Sequence, residues 1–276
     1  MKTLIAVLLV ASTALAQRNL KTDEDLRGAK HITVILKLGA VDLGLRKSND
    51  PSKAFKIFYS YSEEEKVPRL SYDVDGDEGT FRLSNNKGDD DYSFWRFHNT
   101  KDSVNLELSQ SVPMSMTANF GVCDANVDLG GMKVTDAAFS TGVCSFSLNF
   151  STPNQIQCEK VTIKAGISSI SVNDFANARA KSIDLEGGIG SIKVDFGGKF
   201  TTDCDVRIKT GLGSVDISIP SDINTTITTP ESFLTGVDVA GFYSEGGGVY
   251  RSKMTTGPYL HIMIESGMGG VNIKSY

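Results

Sequence analysis

Four cysteines, three histidines, one tryptophan and seven prolines are spread thinly over 276 residues, and each scarcity removes a class of protein. Four cysteines are too few for a disulfide-dense scaffold, and none has zinc-ligand spacing. His31, His98 and His261 lie far apart with no cysteine or serine motif around them, and neither a nucleophile elbow nor a phosphate loop is present. The glycine-rich runs at 187–188 and 246–248 are not followed by a helix whose N-terminus could receive a phosphate. Helical periodicity never lasts beyond a turn or two, and the best stretch, 173–181, reads as a loop or single turn. Lys and Arg (28) are outnumbered by Asp and Glu (33). With no basic cluster either, a nucleic-acid partner is disfavoured.

The N-terminus differs from the rest. Lys2 precedes an apolar run over 3–14 and the small-residue motif Ala14-Leu15-Ala16, the layout of a secretory signal peptide over 1–16. The run is shorter than the roughly 20 residues of a membrane span, and no later segment approaches that length, so no membrane span is expected. No cysteine follows the cleavage site, which argues against a lipoprotein anchor. The expected mature chain, 17–276, carries about −6 and is exported to the periplasm, outer surface or extracellular space.

What the chain does have is a repeat. Two alternating apolar residues precede a glycine, and apolar residues follow one, four and six positions after it. The clearest cases are Gly166, flanked by Val161, Ile163, Ile167, Ile170 and Val172, then Gly188 and Gly211 with the same offsets. Weaker cases centre on Gly121 and Gly142, and outlying ones on Gly39 and Gly267. A period of 21 to 24 residues belongs to a solenoid. Period-two alternation on each side of the glycine marks strands, and the slip of phase across it marks a bend. Positive φ or close backbone stacking would each explain a glycine at that bend. The fold class expected is all-β: a β-solenoid of stacked two-strand rungs with glycine corners, forming one domain.

The register bears on the cysteines. Cys123 and Cys144 both stand two residues after a corner glycine in consecutive rungs, so stacking would bring their Cα atoms to about 5 Å, within disulfide range. A disulfide is expected in an oxidising compartment; two buried free thiols are the alternative. Cys158 and Cys204 are separated by a whole rung and should not bond directly.

Two insertions, about 46–110 and 221–257, interrupt the repeat. The first carries strand signals at 55–61, 70–74, 80–83, 92–98 and 104–108, and either segment could cap exposed strand edges. Asp73, Asp75 and Asp77 alternate like the opening of a calcium loop, but Glu78 and Ser84 stand where such a loop needs Gly and Glu, and the stretch equally suits a hairpin turn. Trp95 lies in an aromatic strand that is either buried on both faces or offers a binding patch. The acidic residues Asp195, Asp216 and Asp238 fall at different offsets, which argues against the paired carboxylates of a polysaccharide hydrolase.

The runs 128–134, 187–198 and 211–220, with their Gly-Gly-Ile-Gly-Ser-Ile-Lys-Val and Gly-Leu-Gly-Ser-Val-Asp-Ile motifs, resemble the bacterial toast-rack family. That family includes adhesin-type β-solenoids and the C-terminal domain of cell-wall-active antibiotic response proteins. The resemblance implies a non-enzymatic structural or adhesion-like module of the cell envelope, with no catalytic residues and no cofactor, and with an envelope glycan or protein as partner. An envelope polysaccharide hydrolase or lyase and a periplasmic sensor module are the alternatives. Regulators of that family carry transmembrane helices before the solenoid, where this chain has a leader.

Overall fold

The computed structural model describes residues 18–61, 67–85, 102–229 and 235–276. Seven long strands form its body: β2 (His31–Lys47), β7 (Met114–Asp128), β8 (Val134–Asn149), β9 (Cys158–Asn173), β10 (Ala180–Asp195), β11 (Cys204–Ile219) and β16 (Tyr259–Ser275). They stack in that order as one parallel ladder, with the corner glycines aligned. Alternate residues of each half-strand face inward and build a continuous core, for example Ile183, Leu185, Ile192 and Val194 of β10. Between β7 and β11 the chain returns through short loops whose apolar residues close the interior. Phe150, Phe175 and Phe196 stack there with centroids 6.0 and 5.9 Å apart. Of the stretch 173–181, only 174–179 is loop, and it holds a single 3-10 turn, Phe175–Ala178.

The inserted segments supply strands to both ends of the ladder. At one end, β5 (Glu78–Ser84) pairs with the first half of β2 and β6 (Asp102–Leu108) with the second, both parallel. Two further strands, β4 (Arg69–Asp75) on β5 and β3 (Lys53–Tyr61) on β6, continue antiparallel, and β1 (Arg18–Asp25), which sequence periodicity does not reveal, adds to β3. Asn85 fills the gap between β5 and β6: its Oδ1 accepts the Gly39 amide at 2.7 Å and its Nδ2 donates to Asp102 Oδ2 at 3.0 Å. At the other end β12 (Asn224–Thr228) and β13 (Thr235–Ala240) divide β16 in the same way, and β15 (Val249–Arg251) and β14 (Tyr243–Gly246) extend from β12.

The structure selects between the two reasons for a corner glycine. Gly121, Gly142, Gly166, Gly188, Gly211 and Gly267 do not have positive φ. A Cβ on any of them would instead lie 2.5 to 2.9 Å from the carbonyl oxygen of the corner glycine in the preceding rung. Positive φ occurs two residues later and only in the last three rungs, at Gly190 (139°), Gly213 (150°) and Gly269 (145°). In the first three rungs that position is filled by Val41, Cys123 and Cys144, which point inward and are buried, and in the rung of Gly166 by the half-buried Ser168. A second correction concerns the apolar residue directly after the glycine. The bend turns it outward, so Val143, Ile167, Ile189, Leu212 and Met268 are exposed rather than part of the core.

Cys123 and Cys144 face each other across β7 and β8 with Cα atoms 4.6 Å apart and are joined by a disulfide. Closing a loop of 21 residues stabilises the fold by about 3 kcal/mol through lost unfolded-chain entropy. Cys158 and Cys204 are free and buried, and burial pushes both thiols up to about 12. Their folded value lies above the ordinary thiol value, so the unfolded chain ionises first as pH rises. Stability from this source is complete below about pH 8.5 and is lost between there and about pH 12. We predict that native protein at pH 8 leaves both thiols unmodified by Ellman's reagent until denaturant is added, and that Cys158→Ala/Cys204→Ala flattens the alkaline fall in urea midpoint. Rapid labelling of the native thiols, or an unchanged alkaline slope, would count against the buried assignment.

Gly188→Val forces a side chain against the Gly166 carbonyl and should cost about 1 to 3 kcal/mol or more. Lys193→Val, on the outer face of the same strand, should stay within about 0.5 kcal/mol. Equal melting temperatures for the two variants would refute close approach as the reason for the corner.

Candidate functional site

The outer face beside the first rungs carries a groove of about 720 Å³. It is made by β1, β3, β6, β2, β7 and β8 lying side by side, so that residues from six strands align in rows. One row runs Lys21, Phe58, Asn105, Gly44, Asn126 and Ser147. Alternation along β3 makes the outward position of Phe58 unusual: its neighbours Ile57 and Tyr59 are buried, whereas the Phe58 ring is 41% exposed. Gly44 leaves the floor bare between Asn105 and Asn126, and a Cβ there would lie 3.0 Å from Asn105 Oδ1.

The next row runs Asp23, Lys56, Glu107 and Arg46. Arg46 grips Glu107 through Nη2 at 2.6 Å and Nε at 3.1 Å. Lys53 bridges Asp23 and Asp25 at 2.5 and 2.8 Å, and those hydrogen bonds hold its ammonium group above the ordinary lysine range. Beyond Arg46 the row passes to amides. Asn149 Nδ2 donates to Asn126 Oδ1 at 3.1 Å, and Asn173 Nδ2 donates to Asn149 Oδ1 at 2.7 Å. Asp128 is committed to its own turn and to the next rung, accepting from the Gly130 amide at 2.9 Å and from Ser151 Oγ at 2.6 Å. Much of the wall thus consists of hydrogen-bonded polar groups facing one exposed aromatic ring. Such a surface can stack on the apolar face of a ligand and exchange hydrogen bonds with a hydroxyl-rich edge.

Of the residues singled out from sequence, the seven corner glycines align in one column. Asp73 and Asp75 fall on β4 and Asp77 in the β4–β5 turn, where Asp77 Oδ2 accepts from Lys30 Nζ at 2.9 Å and Asp73 lies 3.9 Å from Arg82 Nη1. Among the described residues no three His, Cys, Asp or Glu side chains are grouped to hold a metal ion. Trp95 and the strand expected over 92–98 lie outside the described residues, as does the expected leader over 1–16. His31 and His261 pair with Glu78 at 3.0 Å and Asp205 at 3.3 Å. Asp216 and Asp238 do share a row, contrary to their apparent offsets, because inserted β13 pairs in register with β16; Asn272 stands between them and donates to Asp216 at 3.0 Å. No helix among the described residues is long and apolar enough to cross a membrane.

Sequence reasoning missed the groove. Asn149 and Asn173 do occupy equivalent places, seven residues after Gly142 and Gly166, but Phe58 and Asn105 lie in the insertion, where no repeat assigns them a face.

Residues 12–173, more than half of the chain, match the family described as the N-terminal domain of toast_rack, DUF2154. The fold resembles that of a Clostridium sporogenes protein whose name assigns it provisionally to cell adhesion. The identity is 19%, with 94% of this chain and all of the other covered and a TM-score of 0.56. Two other structures cover 93% of this chain at 11% identity and 97% of their own length, but with TM-scores of 0.35 and 0.30. They are a Bacteroides fragilis protein provisionally named an adhesin and a Parabacteroides distasonis protein provisionally named for lipid binding, and no argument rests on them. No curated protein matches the chain. The glycine-cornered parallel ladder and the span of the family match together place this chain in the toast-rack family.

Proposed function

We propose that the chain is an exported, non-enzymatic, adhesion-like module of a bacterial envelope, and that its outer groove binds glycan. Membership of the toast-rack family supports the adhesion-like part, and the leader-like N-terminus supports export. The observation that carries the glycan reading is Phe58, exposed at the edge of a groove lined largely by amides and paired charges. A sugar ring presents apolar C–H faces and polar hydroxyl edges. An aromatic platform beside rigid amides is complementary to both at low entropic cost. Three of the four carboxylates in the groove are held in place, which supports binding rather than hydrolysis: Glu107 is gripped by Arg46, Asp23 by Lys53, and Asp128 by its own turn and by Ser151, with Asp174 the fourth.

The test is binding of envelope-derived oligosaccharides, by glycan array and then calorimetry. Phe58→Ala and Asn105→Ala should each weaken binding by about tenfold or more, a loss of roughly 1.4 kcal/mol, with melting temperature unchanged. Absence of binding to any glycan, or binding indifferent to both substitutions, would overturn the groove assignment. Release of reducing ends from a bound polysaccharide would overturn the non-enzymatic reading.

A further inference from the structure

The outer corner of the stack, remote from the groove in the row order, carries an apolar ridge. Ile167, Ile189, Leu212 and Met268 stand directly after their corner glycines in four successive rungs and align in register. They are 54, 50, 46 and 51% exposed. Stacked at the strand spacing of about 4.8 Å, they make a continuous stripe rather than scattered single residues. Two residues before each glycine, Lys164, Glu186, Lys209 and Glu265 align as a second column of alternating sign. Between ridge and charges lies the glycine column. Its bare backbone leaves a trough of about 430 Å³ along Gly211 and Gly267, with Glu186, Lys209 and Glu265 on its wall.

An apolar ridge beside a column of alternating charge is self-complementary when a second copy runs in the opposite direction, and the charges fix that direction. Read along the stack the column runs plus, minus, plus, minus; read backwards it runs minus, plus, minus, plus. We propose that this corner is an interface for a second copy of the same chain, related by a twofold axis passing between β10 and β11. In that antiparallel arrangement Lys164 of one copy meets Glu265 of the other and Glu186 meets Lys209, while the two ridges meet face to face, Ile167 opposite Met268 and Ile189 opposite Leu212. Parallel pairing in register would set like charges against each other. A twofold axis uses the same patch on both partners and closes the assembly at two. Within each copy the charges already pair, Lys164 with Glu186 at 3.3 Å and Lys209 with Glu265 at 2.9 Å, so dimerisation joins existing pairs into networks. Four side chains per copy cover less than the roughly 800 Å² per partner of a standard interface, so the expected dissociation constant is about 1 to 100 µM.

Sedimentation velocity on the full mature chain, over a range that brackets that constant, tests the proposal. The wild type should move from monomer to dimer with rising concentration, less so at high salt. Ile189→Asp/Leu212→Asp should remain monomeric with an unchanged melting temperature. Glu186→Lys should weaken the dimer about tenfold or more, and Glu186→Lys/Lys209→Glu should restore it, since the double exchange recovers opposite signs across the axis. A wild type that stays monomeric throughout would overturn the proposal, as would a dimer indifferent to the ridge substitutions or a double exchange that fails to restore it. So would a monomer that instead binds phosphatidylglycerol vesicles through the same ridge, which would assign the stripe to lipid.

Discussion

The whole stack depends on backbone meeting backbone at one point in every rung. Each corner glycine sits so close to the carbonyl of the glycine before it that a single added carbon would collide. Seven strands of 15 to 17 residues can therefore bend at the same place and remain hydrogen-bonded on both sides of the bend. Were the corners held apart by side chains, the ladder would lose its spacing there, and the two half-strands of a rung would no longer share one core. The rows exposed on the outer faces follow from strands held in register. Phe58 faces Asn105 and Ile189 faces Leu212 because the strands beneath them are in register.

Inside, neighbouring rungs are tied by groups that recur at fixed places. Asn154 is buried in one return loop, where its Oδ1 accepts the Val134 amide at 2.9 Å and its Nδ2 donates to the Val134 carbonyl at 2.8 Å. Asn177, one rung later, donates to the Phe150 carbonyl at 3.0 Å and accepts the Lys199 amide at 2.9 Å. These amides satisfy loop backbone that the strand ladder cannot reach, which is what allows irregular chain to run through a dry interior.

How far the molecule was legible follows from where the repeat applies. Gly166, Gly188 and Gly211 reveal architecture, stacking order and the neighbourhood of Cys123 and Cys144 because one offset pattern recurs in each rung. The same pattern misleads at Ile189 and Leu212: an apolar residue beside a corner reads as core, and only the bend turns it outward. Val41 and Cys123 occupy the inward corner position that Gly190 and Gly213 later vacate, a change in corner geometry that offsets alone do not record. The groove was illegible because it is assembled across strands from separate parts of the chain. Phe58 reads as one more aromatic in a β-rich insertion until its antiparallel partner, Asn105, is known.

The position of β16 has a consequence for how the chain reaches this state. It lies between β11 and the pair β12 and β13, although both of those are synthesised before it. The closing segment therefore exists before the strand it closes against, and it cannot take its final place until residues 259–275 are made. Premature docking of β12 onto β11 would form a parallel ladder with the right hydrogen-bonding groups and the wrong neighbour, a kinetic trap of the kind that slows parallel topologies. Completion of the stack thus waits on the last long strand, which ends secured along both edges.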